Sequence, residues 1–378
     1  MGNENTFQYN KRDSQGTKVE PVSCEKFDFV RYADYEASLA ERQKSFLAAD
    51  SGILVYRRVR ADGVFYDKCR DYKESLALQL GALQKSLEFR ADIANFLEPW
   101  YGIGYIAGCF GGAYEFPEGQ APAVKPLFHS VQELLAADPL PIERTPAGRQ
   151  ILEMTEYFMD KTKGQVPVSM TDVQSPINML SYLLPITDLF MEVYDDPDGV
   201  REAAMMTARL LADFLKKQRV IIGDALASPG HGFASSRILK GIGLSDDNSI
   251  MIAEEDYRDL FQPADEWLGE QFGGVVFHSC GNWEQKIPMV KNMKGILMAD
   301  GAFTAQTDPS PNVPEPFGRA FAGSGIILNA RAVGPDAMDA FAALYQPGMK
   351  LIAVTYCETG EEQEALYGRL HEMERTIR

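Results

Sequence analysis

Short apolar runs rich in β-branched residues alternate along this chain with longer segments whose apolar residues recur every three or four positions. The runs are Gly52–Tyr56, Val166–Asp172, Ile238–Leu244, Gly273–His278, Gly295–Gly301, Gly325–Ala330 and Leu351–Tyr356. Each has the length and composition of a strand buried on both faces. Between and before them, helical spacing is read over Asp34–Ala49, Tyr72–Phe89 and Pro146–Lys161, and over a long helix opening at Ser175-Pro176 and ending near Tyr194. Asp195 or Asp196 caps the next helix, with Pro197 in its first turn, and Val220–Ala225 then feeds a loop containing His231. Later helices are expected over Glu254–Phe272, bent at Pro263, over Pro335–Tyr345, and from Glu361 onward. Strands alternating with helices predict a parallel sheet, and this many units predict an α/β (β/α)8 TIM barrel with an N-terminal helical extension. Residues 1–22 are polar and read as a loose arm, leaving 23–378 as one domain.

Composition narrows the class. The 378 residues are 45% hydrophobic, enough for a large core, and no apolar run approaches the length of a membrane span. A formal charge of −17 disfavours nucleic acid as a partner, since gripping phosphates needs a basic face. The 5 cysteines lack a regular spacing, which argues against a disulfide framework and fits a cytoplasmic protein.

Chemistry concentrates where strands run out into loops. In Gly273–Gly281, G-G-V-V-F-H-S-C-G, strand alternation puts His278 and Cys280 on the same face. A second run ends at Cys357. One imidazole and two thiols from two strand ends would make a three-ligand zinc set with a fourth position open. The competing reading is that the cysteines are small core residues beside a satisfied histidine. Carboxylates at strand ends are the acidic candidates: Asp246, Asp247 and Asp300 for catalysis, with Asp172 and Asn329 for substrate. Paired aspartates before Asn248 also suit a solvated turn. Glu98-Pro99-Trp100-Tyr101-Gly102-Ile103-Gly104 packs aromatic and glycine residues closely and reads as a pocket-lining loop, making Glu98, Trp100 and Tyr101 further candidates. Its formal G-x-G-x-x-A match lacks the preceding strand that a dinucleotide fingerprint requires.

The stretch from Gly241 through Ala253-Glu254-Glu255-Asp256-Tyr257 and Pro263 to H-S-C-G resembles the uroporphyrinogen decarboxylase superfamily. So do Gln174–Leu180 and the helix start Asp196–Val200, and the likeness covers about residues 90 to 378. Within that superfamily, H-x-C with a late cysteine resembles the zinc pattern of the methylcobamide:coenzyme M methyltransferases. The resemblance implies a TIM barrel, zinc held by His278, Cys280 and Cys357, and methyl transfer from a corrinoid on a partner protein to a small-molecule thiol. The decarboxylases' N-terminal arginine signature and late G-H-G loop are missing; Arg57, Arg58 and Arg60 stand in the region of the first without its motif. A carboxy-lyase acting on a tetrapyrrole, and a noncatalytic tetrapyrrole- or corrinoid-binding protein, are the alternatives.

Overall fold

Six of the apolar runs pair side by side in the computed structural model, which describes residues 16–334 and 336–377. They are β1 (Gly52–Arg57), β2 (Ile242–Ser245), β3 (Val275–His278), β4 (Ile296–Ala302), β5 (Ile327–Arg331) and β6 (Lys350–Thr355). All pairs are parallel in the order β1-β6-β5-β4-β3-β2, so the first and last strands of the chain are neighbours. Isolated parallel bridges continue the wall from β1 round to β2: Leu97 with Val168, Val168 with Leu226, and Gln174 with Ser245. The result is a TIM-barrel-like α/β fold, with the helices packed outside the sheet.

The expected strand at Val166–Asp172 is reduced to the bridge at Val168. Pro167 has no N–H to give a ladder. The N–H of Thr171 is taken by the Gln218 side chain at 3.0 Å, and the Ser169 hydroxyl turns back to the Met170 carbonyl at 2.8 Å. Two helix expectations also change. The segment from Ser175 to Tyr194 splits into Pro176–Ser181 and Ile186–Asp195, because Pro185 cannot continue a helix and disfavours helical geometry before it. The helix capped by Asp196 runs to Ile222, so Val220–Ile222 is its last turn and the loop toward His231 begins after it.

Caps fix the remaining boundaries. Thr145 accepts from the Gly148 N–H at 3.0 Å ahead of helix Pro146–Thr162, and Asp196 does the same for Gly199 at 3.0 Å. Thr359 and Glu362 form a reciprocal capping box on helix Gly360–Thr376. The helical segment Glu254–Phe272 breaks at Phe261 beside Pro263, as expected. The expected loose arm lies outside the described residues up to position 15. Beyond that, Thr17 N–H donates to the Arg60 carbonyl and Val22 N–H to the Ala77 carbonyl at 2.8 Å. No helix among the described residues is long and apolar enough to cross a membrane.

Strand alternation sorts side chains into two layers. Leu54, Tyr56, Val276, Met298, Ile327, Ile352, Val354 and Tyr356 pack together inside the barrel. Their neighbours Ile53, Val55, Val275, Phe277, Ala299, Leu328, Leu351 and Ala353 belong to the core shared with the helices. Two residues beyond Val276, Met298 and Ile327 on the inner face come His278, Asp300 and Asn329. The barrel interior thus changes from apolar to polar at the C-terminal ends of the strands.

Candidate metal centre

The register sets one row of side chains across four strands: Ser245 beside His278, His278 beside Asp300, and Asp300 beside Asn329. His278 Nδ1 lies 2.6 Å from Asp300 Oδ2. Asp300 also accepts from Asn329 Nδ2 and from Arg331 Nε, the latter at 3.1 Å. Burial would raise the Asp300 carboxyl, but the Arg331 guanidinium and the His278 hydrogen bond together hold it below the ordinary value. A carboxylate fixed in this way orients the imidazole so that Nε2 faces the open end of the barrel.

At that nitrogen two further donors converge. Cys280 Sγ is 3.4 Å and Asp247 Oδ1 3.5 Å from His278 Nε2, and ligand atoms of all three residues lie within 4.8 Å of one another. The Cys280 N–H donates to Asp247 Oδ1 at 2.7 Å, tying the loop after β3 to the loop after β2. The Gly281 N–H is held by Asp308 at 2.9 Å, and Gly281 turns with φ +73°, a conformation that glycine enters without strain. Imidazole nitrogen, thiol sulfur and carboxylate oxygen are a donor set that zinc accepts. An imidazole whose other nitrogen rests on a carboxylate is the support that zinc histidines commonly have. Cys280 is exposed, so the cluster keeps an open side, and the residues present fit a zinc ion with three protein ligands.

Cys357 does not stand with them: the side chains that the structure gathers are Asp247, His278 and Cys280, in place of the expected His278, Cys280 and Cys357. The reason is alternation: Val354 and Tyr356 point into the barrel, so the next residue turns toward the helices. The Cys357 carbonyl accepts from Arg57 Nε at 2.8 Å, and the residue lines a separate cavity with Val333, Met338 and Leu366. Burial and the nearby Glu362 raise its thiol, while Arg57 works the other way.

The centre opens onto a pocket of about 190 Å³. His278, Cys280 and Asp308 line one side; Arg58, Arg60, Asp172 and His231 also line it, as does Arg331. The Phe233 ring meets the His278 ring edge to face, with centroids 6.1 Å apart. His231 Nδ1 is 2.5 Å from Glu98 Oε2 and its Nε2 is 3.3 Å from Asp172 Oδ2. Asp172 accepts in addition from Trp100 Nε1 at 3.0 Å and from Gln174 Nε2 at 2.9 Å. Burial pushes Glu98 up, but His231, Arg58 and Arg60 bring it below the ordinary carboxylate value.

The other expected residues take different places. Asp246 is buried behind the centre, accepting from Ser175 Oγ at 3.0 Å and from the Tyr257 hydroxyl, which also bonds Asp265 at 2.6 Å. Burial raises the Asp246 carboxyl to about 7. Asp300 and Asn329 support His278 without reaching the pocket, Glu98 and Trp100 act through His231 and Asp172, and Tyr101 lines another cavity. Sequence reasoning left His231, Arg58, Arg60, Arg331, Phe233, Thr307 and Asp308 without a role. The glycines on either side of His231 were the available signal for the first.

Residues 48–227 match the family described as Uroporphyrinogen decarboxylase (URO-D). The matched span holds β1, Glu98, Trp100 and Asp172 and ends before the H-x-C strand. No curated protein matches the sequence. Among solved structures, a methyltransferase from Methanosarcina mazei has the same fold, with a TM-score of 0.59 and 11% identity over 97% of each chain. The chain resembles the uroporphyrinogen decarboxylase family over residues 48–227, a little under half of its length.

Proposed function

We propose that the protein is a zinc-dependent methyltransferase that moves a methyl group from a corrinoid carrier to a small thiol. The observation that carries this reading is the convergence of Asp247, His278 and Cys280 at the mouth of a small pocket. Zinc bound there would lower the pKa of an incoming thiol and present it as a thiolate at neutral pH. Asp300 keeps His278 turned toward the opening, with Arg331 and Asn329 fixing the carboxylate. Cys280, exposed at the rim, leaves room for a large methyl donor to approach from outside. Arg58 and Arg60 suit a thiol with a negatively charged tail. In the transfer, a carbon–sulfur bond forms as the methyl–corrinoid bond breaks, the electron pair stays with the corrinoid, and the thiol proton leaves to water.

The reading is supported by the fold shared with the Methanosarcina mazei methyltransferase and by the donor set. A decarboxylase acting on a tetrapyrrole draws on the family match and on the arginines after β1. Against it, the decarboxylases' N-terminal arginine signature and late G-H-G loop are missing from the chain. The test is metal analysis of the purified protein together with methyl transfer from methylcobalamin to a panel of small thiols. The expected result is about one zinc per chain and transfer that is lost in Cys280→Ser. Full transfer by chelator-stripped protein, or turnover of uroporphyrinogen, overturns the proposal.

A further inference from the structure

One turn of chain tells the neighbouring aspartates Asp246 and Asp247 apart. Ser175, which opens helix Pro176–Ser181, donates from its hydroxyl to Asp246 Oδ1 at 3.0 Å, and three residues on, the buried Asn178 faces Asp247. Asn178 Oδ1 accepts from the Asn248 N–H at 3.1 Å. Its Nδ2 donates to Gln174 Oε1 at 2.9 Å and reaches Asp247 Oδ2 at 3.5 Å. A backbone N–H can only donate, so Asn248 fixes which end of the amide is oxygen and turns the NH2 group toward Asp247. Gln174, also buried, passes the same polarity on, donating from Nε2 to Asp172 Oδ1 at 2.9 Å. Two amides therefore run head to tail between a carboxylate on the metal side of the pocket and one on the His231 side.

From this geometry we infer that Asn178 is the positioning residue for Asp247, holding Oδ2 back so that Oδ1 faces His278 and Cys280. The inference rests on the metal reading above and extends it past the three converging side chains. Asp247 Oδ1 is the oxygen 3.5 Å from His278 Nε2, and the Cys280 N–H donates to that same atom at 2.7 Å. The carboxylate is half-exposed, and with Oδ2 released it could swing toward solvent. A ligand that must be ordered on binding gives up part of its affinity to that ordering. Carboxylates that hold a metal are commonly hydrogen-bonded from behind. An amide suits the place better than a lysine or arginine, because it donates without a charge that would repel the cation. The competing account is that Asn178 merely anchors the loop through the Asn248 N–H. Ser181 anchors the same residue, accepting from Asn248 Nδ2 at 3.1 Å, and is the control for that account.

Cobalt(II) is the probe, since it takes the same nitrogen, oxygen and sulfur donors as zinc and its visible absorption reports the ligands around it. It is titrated into the full chain, with Asp247→Ala supplying the reference spectrum of a centre without the carboxylate. The parent is expected to show a thiolate-to-cobalt band that Cys280→Ser lacks. Asn178→Ala should keep that band, take on the visible envelope of Asp247→Ala and bind cobalt roughly 10- to 100-fold more weakly. Asn178→Asp keeps the acceptor for the Asn248 N–H but sets a second carboxylate against Asp247, so its envelope should change as well; it decides the matter if Asn178→Ala does not fold. Ser181→Ala should keep the parental spectrum. A parent without the thiolate band overturns the metal reading and this inference with it. A parent with the band, whose Asn178 variants keep its envelope, overturns this inference alone. So does a Ser181→Ala spectrum that matches Asp247→Ala, which would assign the effect to the loop.

Discussion

His278 and Asp300 are register partners on adjacent parallel strands, and the imidazole Nδ1 meets the carboxylate at 2.6 Å. The sheet itself therefore aims the metal-facing nitrogen, and Asp300→Asn should loosen that aim while keeping the side-chain shape. Zinc affinity is expected to fall by roughly 10- to 100-fold. Competition with a chromophoric chelator measures it, and an unchanged affinity would separate Asp300 from the metal.

The two cysteines should behave differently. Cys280→Ser is expected to lose stoichiometric zinc, and Cys357→Ser to retain it, because Cys357 faces the helix layer. Asp247→Ala should fall with Cys280→Ser. Metal content after dialysis decides the matter, and loss of zinc in Cys357→Ser would mean that the loop after β6 turns inward when metal binds.

Gly243 gives Phe233 its place in the barrel. A Cβ at Gly243 would sit 2.2 Å from the Phe233 ring, which is buried and lies edge to face with His278. Gly243→Ala should force the ring aside and destabilise the fold by about 1–3 kcal/mol. Urea denaturation reads the loss, and a midpoint equal to that of the parent protein refutes the assignment.

Away from the metal, His371 bonds Asp92 through Nε2 and Glu374 through Nδ1, each at 2.9 Å. Burial opposes its charge, but those two carboxylates hold its pKa above the ordinary value, with Arg42 working against them. A histidine raised by folding stabilises fully below its unfolded pKa, near 6.5, and loses that contribution as pH climbs through the folded value. Asp92 also accepts from the Val55 N–H at 2.8 Å, so the loss should loosen the seam between β1 and helix Gly360–Thr376. The urea midpoint should therefore drop in the parent as pH rises from the ordinary histidine value, near 6.5, through the raised folded value, and drop less in His371→Gln. Equal slopes in the two proteins would remove His371 from the account.

Six of the seven expected strands were legible because their apolar runs met no competition, whereas at Val166–Asp172 Pro167 and the Gln218 side chain reduced the run to a bridge. The pairing of His278 with Cys280 followed from alternation over two residues. The same rule applied one step further along Leu351–Tyr356 would have turned Cys357 outward, and the inward packing of Val354 and Tyr356 is what fixes its phase. Asp246 and Asp247 are indistinguishable as letters. Only the placement of Tyr257 and Asp265 on the covering helices makes one a buried partner and leaves the other at the rim. His231, Arg58 and Arg331 come from loops and strand ends far apart in the chain, and no local pattern announces that they share a pocket. The break at Pro185 was readable and was overridden by the apolar run around it.

The barrel's circumference is unevenly built. From β2 through β3, β4, β5 and β6 to β1 it is continuous ladder, whereas the quarter through Leu97, Val168 and Leu226 is tacked by single bridges. Backbone held by few ladder bonds opens at lower free energy than backbone held by many. The candidate metal-binding residues His278 and Cys280 hang from the stiff arc, and Glu98, Asp172 and His231 from the sparse one. A lineage built on this plan is free to retailor its pocket by reshaping the sparse arc, while the His278–Cys280 cluster stays anchored on the other.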